Sequence, residues 1–449
     1  MSTKNIRIGC GAGQSDDRIP PAVELALHGN LDYLVFECLA ERTIGRETQT
    51  RMHDNNKGYT PSLHERLRAT LAICHKKNIR IVSNMGAANP IAGAKAMRRE
   101  ARSLGLGDIP CAVVLGDDVA DKVRDRPELT ILENGEPLES ILANLVSANA
   151  YLGADIVAKA LDTRAPVVLT GRVADPSLFL APMLHEFGWP YDDLEKLSIG
   201  TVTGHLMECS SSVTGGCFSW PGRKEVPNLA RLGYPIAEVS SGGDIRITKT
   251  PGSGGRVDVM TCTEQLLYEM HDPSAYLTPD CVLDVTEVEL TQDGPDRVAV
   301  VGQRGKPRTP TYKVVIGHTD GYIGEGEVSF AGIDAVARAR MAAEAVEERL
   351  RMQAHVFEDY RVDLIGMSSL HGAAETRPEP YEVRLRVAGR AKNWKAAEAL
   401  GFEVRSMHMH GPGGAGGGKG PMVREVLAVK SVLLPRELVS PEVVMEGAT

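Results

Sequence analysis

Short runs of apolar, β-branched residues alternate with helical patterns over the first 205 residues of the chain. The runs have the length and composition of strands that are buried on both faces. They are Ile6–Cys10, Tyr33–Cys38, Ile79–Asn84, Ala112–Gly116, Ile156–Ala158 and Val167–Gly171. Helical spacing of apolar positions follows in the intervening segments Pro20–His28, Pro61–Lys77, Pro90–Leu104 and Leu138–Leu152. This alternation predicts an α/β fold with a mostly parallel sheet, and we favour an open sheet over a closed barrel.

From about residue 206 the apolar spacing shifts towards two, which is typical of antiparallel strands. Strands are predicted at Ile236–Val239, Ile245–Lys249, Cys281–Leu290, Val298–Val301, Tyr312–Ile316 and Gly326–Phe330, followed by a helix over Gly332–Arg351. The last hundred residues predict strands at Tyr360–Ile365, Tyr381–Val387 and Val423–Leu434 and a helix at Asn393–Leu400, as in a small ferredoxin-like α+β domain. We therefore predict three domains: a parallel-sheet α/β domain over 1–205, a mainly antiparallel α+β region over 206–352 and a ferredoxin-like domain over 353–449.

Composition excludes several classes of function. A chain of 449 residues is too long for one hydrophobic core, and its net charge of −9 gives no general reason to bind nucleic acid or a membrane surface. No apolar stretch approaches the roughly 18 residues of a membrane span, and no signal peptide is recognisable, so we expect a cytoplasmic protein. The eight cysteines form no CxxC pair, which indicates reduced thiols rather than a zinc ribbon.

Polar residues and glycines follow the predicted parallel strands at the points where the strands end. Ligands of such sheets bind beyond the carboxyl ends of the strands. Each residue alone is better explained by a helix cap or a tight turn, but the set as a whole predicts a site. Its members are Gly11, Gly13, Ser15, Asp16, Glu37, Asn84, Asp117, Gly171 and Arg172.

Three of these residues carry specific chemical expectations. Glu37 and Asp117 are candidates for general acid or base, since neighbouring groups tune carboxyl pKa values. Arg172 is a candidate clamp for a carboxylate or phosphate, and a purely structural pair with Asp175 is the alternative.

The turn after the first strand argues against a dinucleotide cofactor. Gly9–Gly13 matches only GxGxG, because Ser15 and Asp16 occupy the place of the third glycine. We therefore expect no nicotinamide or flavin, and a close approach of substrate to the turn suits these residues better. A magnesium ion held by the acidic strand ends stays open as an alternative.

Two further segments are candidates. His205 and Glu208 share a helix face and can exchange a proton, although a capping role is the alternative; glycines Gly215 and Gly216 follow them. The segment Gly411–Gly420 contains Gly413, Gly414 and Lys419 and is either an anion-binding nest or a surface loop. No metal ligand is assigned, because the chain has no HExxH motif and no dense His/Cys cluster.

Several long strings of the sequence are similar to those of a known family. They are GCGAGQSDDRIPPAVEL, LDYLVFECLAERT, VVLTGRVADPSLFLAPMLHEFGW, GHLMECSSSVTGGCF, EQLLYEMHDPSAYLTPD and GYIGEGEVSFAG. With these strings the chain resembles the acyclic terpene utilisation (AtuA) family over roughly residues 5–350, and the remainder resembles the ferredoxin-like domain of longer members. The resemblance implies a part in degrading acyclic isoprenoids and related branched acids, often as coenzyme A esters. It carries no catalytic residues over to this chain.

The leading expectation is an enzyme of hydratase, lyase or isomerase type acting on a branched acyl-CoA or a small carboxylate. Such reactions need acid and base groups and an anion clamp rather than a redox cofactor. The alternatives are a non-catalytic binding or scaffolding subunit of such a pathway and a magnesium-assisted hydrolase. We expect a small anionic or CoA-linked substrate and a homo-oligomer.

Overall fold

The computed structural model describes residues 4–372 and 379–447, which form two compact units. Unit 1 comprises the chain up to Gly317 and again from Val429 onwards, and unit 2 comprises His318–Ala428. Compactness alone does not show which segments fold independently. The division into three domains at residues 205 and 352 therefore stays a prediction.

The first half of unit 1 alternates strands and helices. Its strands are β1 (Asn5–Ala12), β2 (Tyr33–Phe36), β3 (Arg80–Ser83), β4 (Cys111–Leu115), β5 (Leu145–Ala150) and β6 (Val167–Thr170). Its helices are α1 (Pro20–His28), α2 (Glu41–His53), α3 (Leu63–Lys77), α4 (Pro90–Ser103), α5 (Ala120–Arg124), α6 (Glu139–Leu142), α7 (Ala154–Asp162), α8 (Ser177–Phe187) and α9 (Leu194–Glu208).

The second half of unit 1 is richer in strands. It contains β7 (Pro235–Ser240), β8 (Ile245–Lys249), α10 (Val259–Leu267), β9 (Tyr276–Leu277), β10 (Val282–Asp284), β11 (Glu289–Gln292), β12 (Arg297–Val301) and β13 (Arg304–Lys306). The long strand β14 (Thr311–Ala331) leads into unit 2. There follow α11 (Ala335–Met352), β15 (Asp359–Ile365), β16 (Glu382–Ala391), α12 (Trp394–His410), β17 (Met422–Pro435), which returns to unit 1, and β18 (Glu442–Glu446).

A large mixed sheet organises unit 1. Its strand order is β11-β12-β8-β7-β1-β2-β3-β6-β4-β18. The five central strands, β1, β2, β3, β6 and β4, are parallel, and the strands on both sides of them are antiparallel. The parallel sheet predicted from the first 205 residues is confirmed as the centre of this larger mixed sheet.

Both faces of the central strands are buried, which explains their continuous apolar sequences. Along β2, Tyr33 and Val35 join the core that includes α7, α8 and α9, whereas Leu34 and Phe36 join a second core that includes α1, α3 and α4. Alternate side chains of a strand point to opposite faces, so one short run feeds two cores. The carboxyl ends of the strands are thereby held on a rigid edge.

Two predictions for local structure are wrong. Ile156–Ala158 is predicted as a strand but lies inside helix α7. A helix with a buried face can contain the same short β-branched apolar run as a strand, so the pattern does not distinguish them. The helix predicted over Leu138–Leu152 divides into the short helix α6 and strand β5, and β5 pairs with β14. In addition, Tyr312–Ile316 and Gly326–Phe330 are parts of the single strand β14, and Cys281–Leu290 contains β10, a turn and the start of β11.

Unit 2 has the element order β14, α11, β15, β16, α12, β17, with the strands in the sheet order β15-β16-β14-β17. Its core is formed by residues such as Val336, Leu385 and Leu400 from the helices and the sheet. Helix α12 begins where Asn393 Oδ1 accepts a hydrogen bond from the Ala396 N–H at 2.9 Å, and it continues past the predicted end at Leu400 to His410. The ferredoxin-like assignment stays a prediction. None of the helices within the described ranges is both long and apolar enough to cross a membrane.

Candidate functional site

Four neighbouring parallel strands end in polar residues that bond to one another. Asn84, after β3, accepts a hydrogen bond from the Cys38 N–H at 2.7 Å and donates one to Glu37 Oε1 at 2.9 Å, which joins the ends of β2 and β3. Asp117, after β4, accepts a hydrogen bond from the Arg172 N–H at 2.8 Å, which joins the ends of β4 and β6. The strand-end residues Glu37, Asn84, Asp117 and Arg172 thus share one edge of the sheet.

Arg172 lies in the middle of this edge with its guanidinium almost fully enclosed. Only 1% of its side chain is exposed. The guanidinium donates to the Leu39 carbonyl, lies 3.4 Å from Asp175 Oδ1, and stacks on the ring of Tyr151 with 4.7 Å between the guanidinium carbon and the ring centre. Asp175 beside it has 29% of its side chain exposed. Solvent therefore approaches this edge at Asp175 rather than at Arg172.

Three carboxyl groups that interact with one another have raised pKa values. Burial raises the pKa of Glu37 against the opposing effects of the Leu39 N–H, Asn84 and Arg172. Burial, followed by repulsion from Glu37, raises the pKa of Asp175 well above its usual range. Burial and repulsion from Asp175 and Glu37 do the same for the pKa of Glu208, at the end of α9. These groups, which we call the carboxyl cluster, retain protons at a higher pH than exposed carboxyls do.

Glu41, the first residue of α2, behaves in the opposite way. Its burial favours a higher pKa, but the Tyr151 hydroxyl, which donates to Glu41 Oε1 at 2.7 Å, and the charge of Arg172 outweigh it, so the pKa is lowered. One edge of the sheet therefore holds carboxyls with raised pKa values and one with a lowered pKa side by side. Such separation of pKa values is the usual basis for assigning an acid and a base.

His205 and Glu208 do share a helix face, as the sequence predicts. Nε2 of His205 lies 3.0 Å from the Leu266 carbonyl oxygen. Because a carbonyl only accepts, Nε2 carries the proton and donates, and in the neutral ring Nδ1 keeps its lone pair. That nitrogen lies 3.7 Å from Glu208 Oε1. Burial lowers the pKa of His205, and none of its side chain is exposed. Within the described residues His205 Nδ1 has no hydrogen-bond partner, so the buried ring faces the Glu208 carboxyl without bonding to it.

The loop after β1 serves packing more than ligand binding. A β-carbon at Gly11 would meet the Phe36 ring, and one at Gly13 would lie 2.6 Å from the carbonyl carbon of Cys209. The close approach of Gly13 brings the end of β1 against the end of α9, where Glu208 lies. Ser15 contributes its carbonyl to the buried Arg66 guanidinium at 3.2 Å, and the Asp16 side chain is exposed.

Of the remaining candidates, only Gly171 lies at this edge. At Gly171 a β-carbon would overlap the Asp117 carboxylate, so this glycine allows the contact between β4 and β6. Gly215 and Gly216 form the turn after α9, where the Gly216 N–H donates to the Ser211 carbonyl at 2.7 Å. Gly413, Gly414 and Lys419 are exposed residues of unit 2, and Arg338 donates to the Gly413 carbonyl at 2.7 Å.

A family model described as "Acyclic terpene utilisation family protein AtuA" matches residues 6–445. The chain belongs to the AtuA family. No curated protein and no solved structure matches it. Membership points to a part in acyclic terpene utilisation, a catabolic pathway.

Sequence reasoning missed two members of the site in this AtuA protein and assigned no role to a third. The strand-end rule does place Glu41 after the second strand, but no chemical role was predicted for it. Tyr151 and Asn149 belong to the end of β5, which the sequence pattern assigned to a helix. Asn149 donates to Asp117 Oδ2 at 2.9 Å. Among the residues described, no group of three or more His, Cys, Asp or Glu is arranged to hold a metal ion, and the magnesium alternative stays untested.

Asp117→Asn is expected to change the pH dependence of stability in this AtuA protein. Burial raises the pKa of Asp117 to about 6, above the roughly 3.9 of an unfolded chain. Between about pH 4 and pH 6 the folded protein binds more protons than the unfolded chain, so the free energy of unfolding falls as the pH rises. Asparagine does not titrate, so the variant should lose this pH dependence. It amounts to up to about 3 kcal/mol of unfolding free energy between pH 4 and pH 6.

Urea unfolding at several pH values measures this effect. Asp192→Asn, at an exposed position before α9, is the control and should retain the wild-type slope. Parallel curves for Asp117→Asn and the wild type from pH 4 to pH 7 would contradict the raised pKa.

Proposed function

We propose that this AtuA protein catalyses acid–base chemistry of hydratase, lyase or isomerase type on a branched, isoprenoid-derived acid, either free or as a CoA ester. The observation that supports the proposal is the carboxyl cluster, whose pKa values are raised, next to the buried Arg172 guanidinium and to Glu41, whose pKa is lowered. Hydration and isomerisation both require one group to give a proton and another to take one. Family membership supports the catabolic setting.

Exposure suggests the roles. Asp175 and Glu41 are the partly exposed groups of the edge, so a substrate meets them first. Asp175, with its raised pKa, is the proton donor, and Glu41, with its lowered pKa, is the base that takes a proton from water or from a substrate carbon. Glu37 and Glu208 lie behind them and act by returning a proton to Asp175.

Arg172 and His205 are positioning residues in this scheme. Arg172 supplies the positive charge that keeps Glu41 ionised. His205 packs its Nδ1 against the Glu208 carboxyl at 3.7 Å, and its Nε2–H is held by the Leu266 carbonyl. The sequence predicts either a direct anion clamp or a structural pair with Asp175 for Arg172. Because its guanidinium is enclosed, the structural role is better supported than the clamp. Variants of Arg172 separate the two roles.

Ligand-induced stabilisation is the first test of the function. Branched short acids and their CoA thioesters should raise the melting temperature, because a ligand at 100 times its dissociation constant stabilises by about 2.7 kcal/mol. The same ligands are then tested for turnover. Turnover by the isolated protein would exclude the scaffolding alternative, and turnover abolished by EDTA and restored by Mg²⁺ would favour the hydrolase alternative. Binding of none of the acids or thioesters would contradict the proposal.

A further inference from the structure

A groove of about 520 Å³ lies in unit 1 beside Asp117. The last turn of α2 lines one side, and the short helix α5 and strand β5 line the other. Three cations stand in its walls, namely Arg51 from α2 and Lys122 and Arg124 from α5. Asp118 and Asp121 are also in the walls, so cations exceed carboxylates by one.

The cations of the groove are available to a ligand. Arg51 lies 3.6 Å from Asp118 with 45% of its side chain exposed, and Arg124 lies 3.6 Å from Asp121 with 48% exposed. Exposed ion pairs at such distances contribute little. Arg51 also donates to the Ala88 carbonyl at 2.8 Å, which leaves its other N–H groups for a ligand. An anion that enters the groove therefore competes only with the weak ion pairs of Arg51 and Arg124.

Strand β5 contributes two buried polar side chains to the wall of the groove. Ser147 and Asn149 are two residues apart on the strand, so their side chains face the same side. Each residue is 4% exposed. Within the described part of the chain, Ser147 Oγ and Asn149 Oδ1 have no hydrogen-bond partner. Unpaired buried polar atoms are costly, so they point to a partner that completes them. The Ser147 hydroxyl can donate to an anion, whereas Asn149 Oδ1 only accepts and needs an ordered water or another donor.

Helix α2 and strand β5 connect the groove with Glu41 and Tyr151, which lie beside Arg172. Glu41 begins α2 and Arg51 is ten residues further on, a distance of about 15 Å along a helix. On the other side, Asn149 in the groove is followed two residues later by Tyr151, which stacks on Arg172. An elongated ligand that follows α2 and β5 therefore reaches from the cluster to the cations.

We propose that this groove binds the phosphate or diphosphate end of an elongated substrate whose reacting end lies at the carboxyl cluster. Three cations spread over two helices match several phosphate oxygens, whereas a single carboxylate needs one guanidinium. The placement of the reacting end rests on the proposed function. The affinity of the groove for phosphate does not.

The test uses Lys122→Ala/Arg124→Ala, which changes only exposed side chains outside the carboxyl cluster. Calorimetric titration with inorganic pyrophosphate should show binding to the wild type and at least about tenfold weaker binding to the double variant, the loss of one or two charge-assisted contacts. Lys95→Ala/Arg99→Ala removes the same charge from exposed positions of α4 and should bind like the wild type. Absence of pyrophosphate binding, or equal weakening in both double variants, would overturn the proposal.

Two further measurements separate this proposal from the proposed function. Coenzyme A thioesters should lose affinity in the Lys122/Arg124 double variant, whereas free branched acids should not. Asp175→Asn should retain the wild-type affinity for pyrophosphate whatever happens to turnover. An equal affinity of the double variant and the wild type for the thioester would contradict the elongated path while leaving the catalytic proposal standing.

Discussion

The Asp175→Asn variant is expected to fold like the wild type and to lose turnover by roughly 10²- to 10⁴-fold, the usual contribution of a general acid. Burial and Glu37 raise the pKa of Asp175, so its carboxyl retains the proton that the reaction needs. Asparagine keeps the size and neutrality of the protonated side chain but has no proton to give. The loss should appear in kcat, with little change in ligand affinity.

Asp192→Asn is a matched control, since Asp192 is exposed in the turn before α9. It should retain wild-type kcat. The pH profile gives a second check: the limb that reports the raised pKa of the acid should be missing from the residual activity of Asp175→Asn. Turnover within threefold of the wild type would remove Asp175 from the mechanism.

The Arg172→Ala variant is expected to lose about 3–5 kcal/mol of unfolding free energy, the usual result of removing one partner from a buried ionic group. Glu37, Glu41 and Asp175 would lose the cation between them, and Tyr151 its stacking partner. Without that charge the carboxyls are penalised further when they ionise. The loss of stability should therefore grow as the pH rises, as urea unfolding from pH 5 to pH 8 will show.

Arg172→Lys is the companion variant. Lysine keeps the charge but lacks the planar group that stacks on Tyr151 and reaches Leu39, so its stability should be only partly restored. A direct clamp makes a different prediction, because its loss should weaken ligand binding by about 10- to 150-fold. Lost stability with unchanged affinity of the folded protein would rule out the clamp. Unchanged stability with weakened affinity would establish it.

The central sheet was predictable because its strands are short, apolar and buried on both faces. Tyr33–Cys38 and Val167–Gly171 mark β2 and β6 within two residues. From these assignments the strand-end rule located Glu37, Asp117 and Arg172, which the structure brings to one edge. The local sequence pattern was sufficient to locate these residues, because each of them directly follows a strand that the pattern identifies.

Other parts of the site depend on pairing between distant segments. Strand β5 pairs with β14, whose sequence lies about 165 residues later, and nothing in the local pattern of Leu145–Ala150 shows that pairing. Tyr151 and Asn149 were missed for this reason. Glu208 was found as one half of a helical pair, but its raised pKa depends on Asp175 and Glu37, which come from two other strand ends.

Strand β18 has a consequence for the synthesis of the protein. It pairs with β4, whose residues are made roughly 330 positions earlier. At the usual rate of about 5–20 residues per second, the ribosome needs some 15–65 s to produce the partner. During that interval one side of β4 offers unpaired backbone groups to any neighbouring chain. We therefore expect newly made chains to need protection by chaperones until the last strand emerges.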